Sequence, residues 1–282
     1  FNVSSNMTEK IFNFSMEALR DHDSIEIELN VLKENIVDFV DFVEALRVNS
    51  TMKSLRVIEE DHYELKVSVL KENFVDFVNA LKALKVIEED YQEDDFHEED
   101  YYRRDGSVAS AIADLLRVNS AFLSLHLGHN SINLVGTEAI ANALKINASL
   151  SSLNLSHNVL WKEGAKAIAD SLKFNSSLTS LNLCHNSIED GGAMAIADAL
   201  KINSCLTSLN LESCFINMYG ARAIADALKF NSSLTSLNLS HNSIEDGGAM
   251  AIADALKINS CLTSLNLERC FIKMNGARAI AD

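Results

Sequence analysis

The chain has 282 residues, a formal net charge of −16, ten glycines, five cysteines and no proline. A net negative chain repels phosphate backbones, and there is no basic stripe or basic-aromatic interleaving, so no nucleic-acid partner is expected. Without a run of about 18 apolar residues no membrane span is expected, and residues 1–13 lack the basic and apolar regions of a signal peptide.

All ten glycines lie at Gly106 or later, and the acidity is concentrated before them. Residues 1–105 hold 26 acids against 12 bases, whereas residues 106–282 hold 14 against 12. The composition therefore places a boundary near residue 105. Upstream of it, VLKENIVDFV at Val31 recurs as VLKENFVDFV at Val69, and LRVIEED at Leu55 returns as LKVIEED at Leu84. Apolar helices are predicted at 36–46 and 74–84, with short strands at 25–29, 54–58 and 65–69. Residues 44–57, EALRVNSTMKSLRV, read as a helix end and a strand with Leu55 and Val57 pointing inward. Residues 1–87 are thus expected to be a divergent, repeat-like N-terminal or capping region, with a separate α/β domain as the weaker alternative. Residues 88–105 form an acidic loop or insertion, with nine acids in thirteen consecutive residues that repel one another. A solvated loop is the plainer reading of this run, and a contact for a basic partner the sharper one.

From residue 106 the chain is periodic. Leucine recurs every 28 residues at Leu125, Leu153, Leu181, Leu209, Leu237 and Leu265, and isoleucine keeps the same period from Ile112 to Ile280. In the unit SLTSLNLCHNSIEDGGAMAIADALKINS, which begins at Ser177, Leu181 and Leu183 alternate past Asn182 as a strand. Ile196 and Leu200, four apart among alanines, make the apolar stripe of a helix. Gly192 and its equivalents supply either a positive-φ turn or room for close backbone approach. One such unit cannot bury enough surface to offset the ordering of its backbone, so neighbours must share a core. Parallel strands stack about 4.8 Å apart, and helices are wider than strands. The expected fold is an α/β solenoid, a horseshoe with a parallel sheet on the concave face and helices on the convex face.

The pattern LxxLxLxx(N/C)xL, followed by a glycine and a helix ending Ala-Leu-Lys-x-Asn, resembles the ribonuclease-inhibitor-like class of leucine-rich repeats. The resemblance covers about residues 106–282, truncated in the last helix. It implies that Asn186, Cys214, Asn242 and Cys270, which alternate at the ninth position, hydrogen-bond buried turn backbone. It also implies a protein-binding scaffold or sensor module, as in the sensor regions of nucleotide-binding immune-type receptors, because repeats of this class serve in inhibitors, sensors and GTPase activators.

No phosphate loop, HExxH or GxSxG motif occurs, so no enzyme and no cofactor are expected. His129, His157, His185 and His241 form a row at the strand ends, the first three on successive strands. Stacked imidazoles could hold zinc, yet a consensus position filled by duplication is the favoured reading, because zinc wants ligands from diverging directions. Close stacking favours neutral rings. Cys214 and Cys270, two strands or about 10 Å apart, are too distant for a disulfide, and with Cys184 are expected as buried thiols. The odd cysteine set, without a CxxC pair, suits a reducing, cytoplasmic compartment. Triplets such as Asn175-Ser176-Ser177 recur with the repeat and need no sugar to explain them.

Two rows should face the concavity: Ser152 through Ser264, and Asn154, Asn182, Asn210, Asn238 and Asn266. Variation lies one step further along, where Ser156, Cys184, Glu212, Ser240 and Glu268 stand beside His157, His185, Ser213, His241 and Arg269. A protein partner is therefore expected on the concave face and this strand-end edge, with Trp161 either a surface anchor or packed on the next repeat. The alternative is a GTPase-activating protein of the Ran-activator type, a family that also pairs such repeats with an acidic segment. Here the acidic run precedes the regular repeats, and no loop residue stands out to stabilise a transferring phosphate. Residues 177–226 and 233–282 differ only at Cys184/Ser240, Ser213/Arg269, Asn217/Lys273 and Tyr219/Asn275, the mark of a duplicated two-repeat cassette. The chain stops at Asp282 inside a helix, so Leu265, Leu267 and Ile280 are expected at an open edge, which implies self-association or a longer native protein.

Overall fold

In the computed structural model, the described residues are the strands Phe12–Glu17, Ser24–Leu32, Met52–Glu59 and His62–Leu70, and residues 109–282 except 111, 119 and 121. These first four strands are β1 to β4. The Ser-Leu-Asn (once Ser-Leu-His) triplets then form β5 (Ser124–His126), β6 (Ser152–Asn154), β7 (Ser180–Asn182), β8 (Ser208–Asn210), β9 (Ser236–Asn238) and β10 (Ser264–Asn266). In β5 to β9 the central leucine is buried and its neighbours are half-exposed, as period-2 alternation requires. Helices follow each triplet: α1 (Leu134–Leu144), α2 (Trp161–Leu172), α3 (Glu189–Leu200), α4 (Met218–Leu228), α5 (Glu245–Leu256) and α6 (Met274–Ala281).

One sheet runs in the order β1-β2-β4-β3-β5-β6-β7-β8-β9-β10. From β5 onward the strands are parallel and in exact register with the repeat, Leu125 beside Leu153, Leu153 beside Leu181, and so on to Leu265. The expected α/β leucine-rich-repeat solenoid is what forms. The strand expected at 54–58 lies within β3, and it joins β5 in parallel with Ser54 beside Ser124 and Leu55 beside Leu125, the same phase as the repeats. The strands expected at 25–29 and 65–69 lie within β2 and β4, which pair antiparallel with each other. The additional strand β1 pairs antiparallel with β2. The predicted helices at 36–46 and 74–84 and the acidic segment 88–105 fall outside the described residues.

The core is a continuous leucine-alanine-isoleucine stack, including Leu153, Leu155, Ile168 and Leu172 and their equivalents. Two asparagine ladders close its polar ends. At the strand end, Asn186 Nδ2 donates to Leu155 O and Leu183 O, while Asn242 donates to Leu211 O and Leu239 O and accepts from Cys214 N and Ile216 N. Where cysteine replaces asparagine, the thiol still donates, Cys214 Sγ to Leu183 O at 3.2 Å and Cys270 Sγ to Leu239 O at 3.1 Å. The second ladder, at the helix ends, is one that sequence reasoning missed. Asn175, Asn203 and Asn231 each donate to two carbonyls of the preceding repeat and accept from the leucine N–H three residues on. The Asn175 amide is therefore buried and engaged, so the folded chain offers no sugar acceptor there.

The recurrent glycines turn out to provide room. Among the described residues no glycine has a positive φ, and a Cβ on Gly192 would lie 2.5 Å from Ile188 Cγ2 and 2.8 Å from Ala165 Cβ. The left-handed conformations fall instead on non-glycine residues of the strand-to-helix turns, two in each repeat, among them His157, Trp161, His185 and Glu189. Neighbouring turns are tied by Asp190 Oδ1, which accepts from Asn217 N and Gly220 N at the start of α4, and by Asp246, which does the same for Lys273 N and Gly276 N. A carboxylate at a helix start pairs with otherwise orphaned N–H groups and with the positive end of the helix dipole.

Candidate interaction edge

The turns that leave the C-terminal ends of β5 to β10 form one edge of the solenoid. Those after β5 to β9 are each pinned by backbone hydrogen bonds to the next repeat, such as His157 N to Cys184 O, His185 N to Glu212 O and His241 N to Glu268 O, at 2.8 to 2.9 Å. The edge is thus a fixed row of side-chain positions, not a set of independent loops.

The histidine row expected at these positions is present. The rings of His129 and His157 stack at 4.0 Å and those of His157 and His185 at 4.1 Å, both pairs 14° from parallel. His241 is set apart from this stack by Ser213. Burial, then the neighbouring His129 and His185, hold the His157 pKa below its ordinary value, partly opposed by Glu212. A neutral ring on His157 follows at neutral pH. Cys184 is buried beside these rings, and burial followed by the charge of Glu212 pushes its thiol up. In the turn, burial pushes Cys214 up to about 12, so that thiol is inert.

The concave-face asparagines are less free than their position suggested. In each of Asn154, Asn182, Asn210, Asn238 and Asn266 the Oδ1 accepts from the backbone N–H two residues on. Asn238 also donates from Nδ2 to Glu212 Oε2 at 3.1 Å. Glu212 is half-buried, whereas Glu268 and Arg269 are exposed and only 3.7 Å apart. Trp161, expected in the loop, is the first residue of α2, left-handed and half exposed. Phe215 and Phe271 are exposed on the same turns, at about 70% of their surface.

On the opposite edge, where helices lead back to strands, Ile146, Phe174, Ile202, Phe230 and Ile258 are all exposed. Their 28-residue spacing in the motif Lys-(Ile/Phe)-Asn was visible in the sequence, but periodicity does not tell a buried apolar column from an exposed one.

The geometry defines a class, a solenoid of strand-turn-helix units that shares one core and displays one repeated edge. The family described as Leucine Rich repeat matches residues 147–169, 174–197, 230–253 and 259–281, so the regular part of the chain is built of leucine-rich repeats. Among solved structures, leiomodin-1 actin-binding site 2 is similar at 30% identity with a TM-score of 0.38, over 43% of this chain and 69% of its own. The Rad7 and Elc1 complex of yeast is similar at 12% identity with a TM-score of 0.20, over 57% of this chain and 67% of that one. With TM-scores below 0.5, neither likeness bears on what this chain binds. No curated protein matches the chain. Among the described residues, no helix is long and apolar enough to cross a membrane.

Proposed function

We propose that the chain is a protein-binding scaffold or sensor module whose partner lies on the concave face and the strand-end edge. The observation that carries this reading is where near-identical repeats differ. The core columns are almost invariant, yet along the edge the exposed His157, His185, His241, Glu268 and Arg269 share a row with the half-buried Glu212 and Ser213, beside Trp161, Phe215 and Phe271. Sequence diversity on a rigid, exposed, partly aromatic row is what a contact surface requires. The 28-residue period and helices of 11 to 12 residues in α1 to α5 favour the ribonuclease-inhibitor type of repeat. Residues 1–87 act as a divergent cap, a reading supported by the in-phase pairing of β3 with β5. The five free thiols suit a reducing, cytoplasmic setting.

Reversing the charge at the edge tests the contact surface. A Glu212→Lys, Glu268→Lys variant is expected to lose most capture of protein partners from a lysate while its melting temperature falls only slightly, since Glu268 is exposed, Glu212 is half-buried with one hydrogen bond from Asn238, and such surface charges contribute about 1 kcal/mol or less each. Undiminished capture would remove the edge from the contact surface.

A further inference from the structure

We propose that His157, Cys184 and His185 form a binding site for a single zinc ion on the strand-end edge. The Cys184 Sγ and one ring nitrogen from each histidine lie within 4.8 Å of one another. Zinc bonded at about 2.3 Å to sulfur and about 2.0 Å to nitrogen holds such donors roughly 3.3 to 3.6 Å apart, so a closure of about 1 Å completes the geometry. The backbone beneath is already fixed, because His157 N donates to Cys184 O and His185 N to Glu212 O, each at 2.9 Å. Only side-chain rotation is needed. Parallel rings 4.1 Å apart cannot both aim an in-plane lone pair at one ion, so one ring turns out of the stack. Both histidines are exposed, and that turn moves a ring into solvent without disturbing the core.

The chemistry of the donors agrees. One sulfur and two imidazoles form a borderline-soft set suited to zinc. His157 is held neutral, the form that binds metal, while Cys184 keeps its proton until an ion displaces it. Zinc binding therefore releases a proton and strengthens as pH rises toward the thiol's titration. Glu212, which both His157 and Cys184 sense electrostatically and whose carboxylate is oriented by Asn238, places negative charge beside the cation. Duplication explains the histidine row but not Cys184, because that column otherwise holds Ser156, Glu212, Ser240 and Glu268. One cassette later the three positions are Ser213, Ser240 and His241, so only one copy carries the full ligand set.

The test uses the full chain, reduced and stripped of metal, titrated with cobalt(II) and then with zinc in competition. One equivalent of cobalt is expected to bind with a sulfur-to-metal charge-transfer band in the near ultraviolet. Cys184→Ser should abolish that band, and both it and His157→Asn should weaken zinc binding at least about tenfold, equivalent to about 1.4 kcal/mol. The serine variant keeps the fold, since Ser240 occupies the equivalent place in the sister cassette, and unchanged circular dichroism would confirm that. Absence of zinc binding, or binding equally tight in Cys184→Ser, would overturn the site.

Discussion

Replacing Asn242 with alanine is expected to destabilise the repeat array by about 3 to 5 kcal/mol, read as the shift of its urea midpoint. The side chain donates to Leu211 O, Leu239 O and Ser240 O and accepts from Cys214 N and Ile216 N, all in a buried turn. Alanine satisfies none of these groups, and each buried donor or acceptor left without a partner costs about 1 to 3 kcal/mol. Cys214→Ala, at the equivalent position of the preceding repeat, removes only weak donation from one sulfur to Leu183 O and Glu212 O. Its expected loss is about 1 kcal/mol. Equal losses for the two variants would mean that the asparagine ladder fills space and does not serve to satisfy backbone.

Adjacent glycines in α3 should respond with opposite signs. Gly192→Ala is expected to lower stability by about 1 to 3 kcal/mol, because its Cβ meets Ile188 Cγ2 at 2.5 Å and Ala165 Cβ at 2.8 Å and must push helices α2 and α3 apart. At Gly191 a Cβ meets only the Lys162 side chain, at 3.6 Å or more, and the position is exposed. There the gain in helix propensity dominates, and Gly191→Ala should raise stability by about 0.5 to 1 kcal/mol. Thermal melts of the two variants decide the matter. A stabilising Gly192→Ala would show that the helices can separate freely, against the close alanine-glycine packing of the solenoid.

The candidate edge was only partly legible in advance. The histidine row and the variable pairs at Glu212 and Glu268 follow from period alone, since 28-residue spacing puts equivalent residues on neighbouring strands. In the sequence Cys184 reads as a buried thiol and as a variable edge position beside His185, not as a metal ligand. Its column lies two residues before that of Cys214, and the folded turn sets its sulfur within 4.8 Å of a ring nitrogen of both His157 and His185. Likewise nothing in the sequence marks Asp190, one of two acids in the first turn of α3, as a cap for another helix. Its partners, Asn217 N and Gly220 N, lie 27 and 30 residues away in the next repeat.

By itself the sequence determined the repeat unit, the parallel register, the buried leucine columns and the strand-turn-helix order. Those features depend on local periodicity and on the identity of equivalent residues, which a single chain displays directly. Tertiary structure alone decided that the glycines serve close helix packing, that the left-handed turns fall on residues such as His157 and Glu189, and that the exposed apolar row sits on the helix-to-strand edge. It also decided that β2 and β4 pair antiparallel before the parallel array begins at β3 and β5. Each of these depends on which surfaces of successive repeats meet, and the stacking of units sets that contact where no local pattern records it.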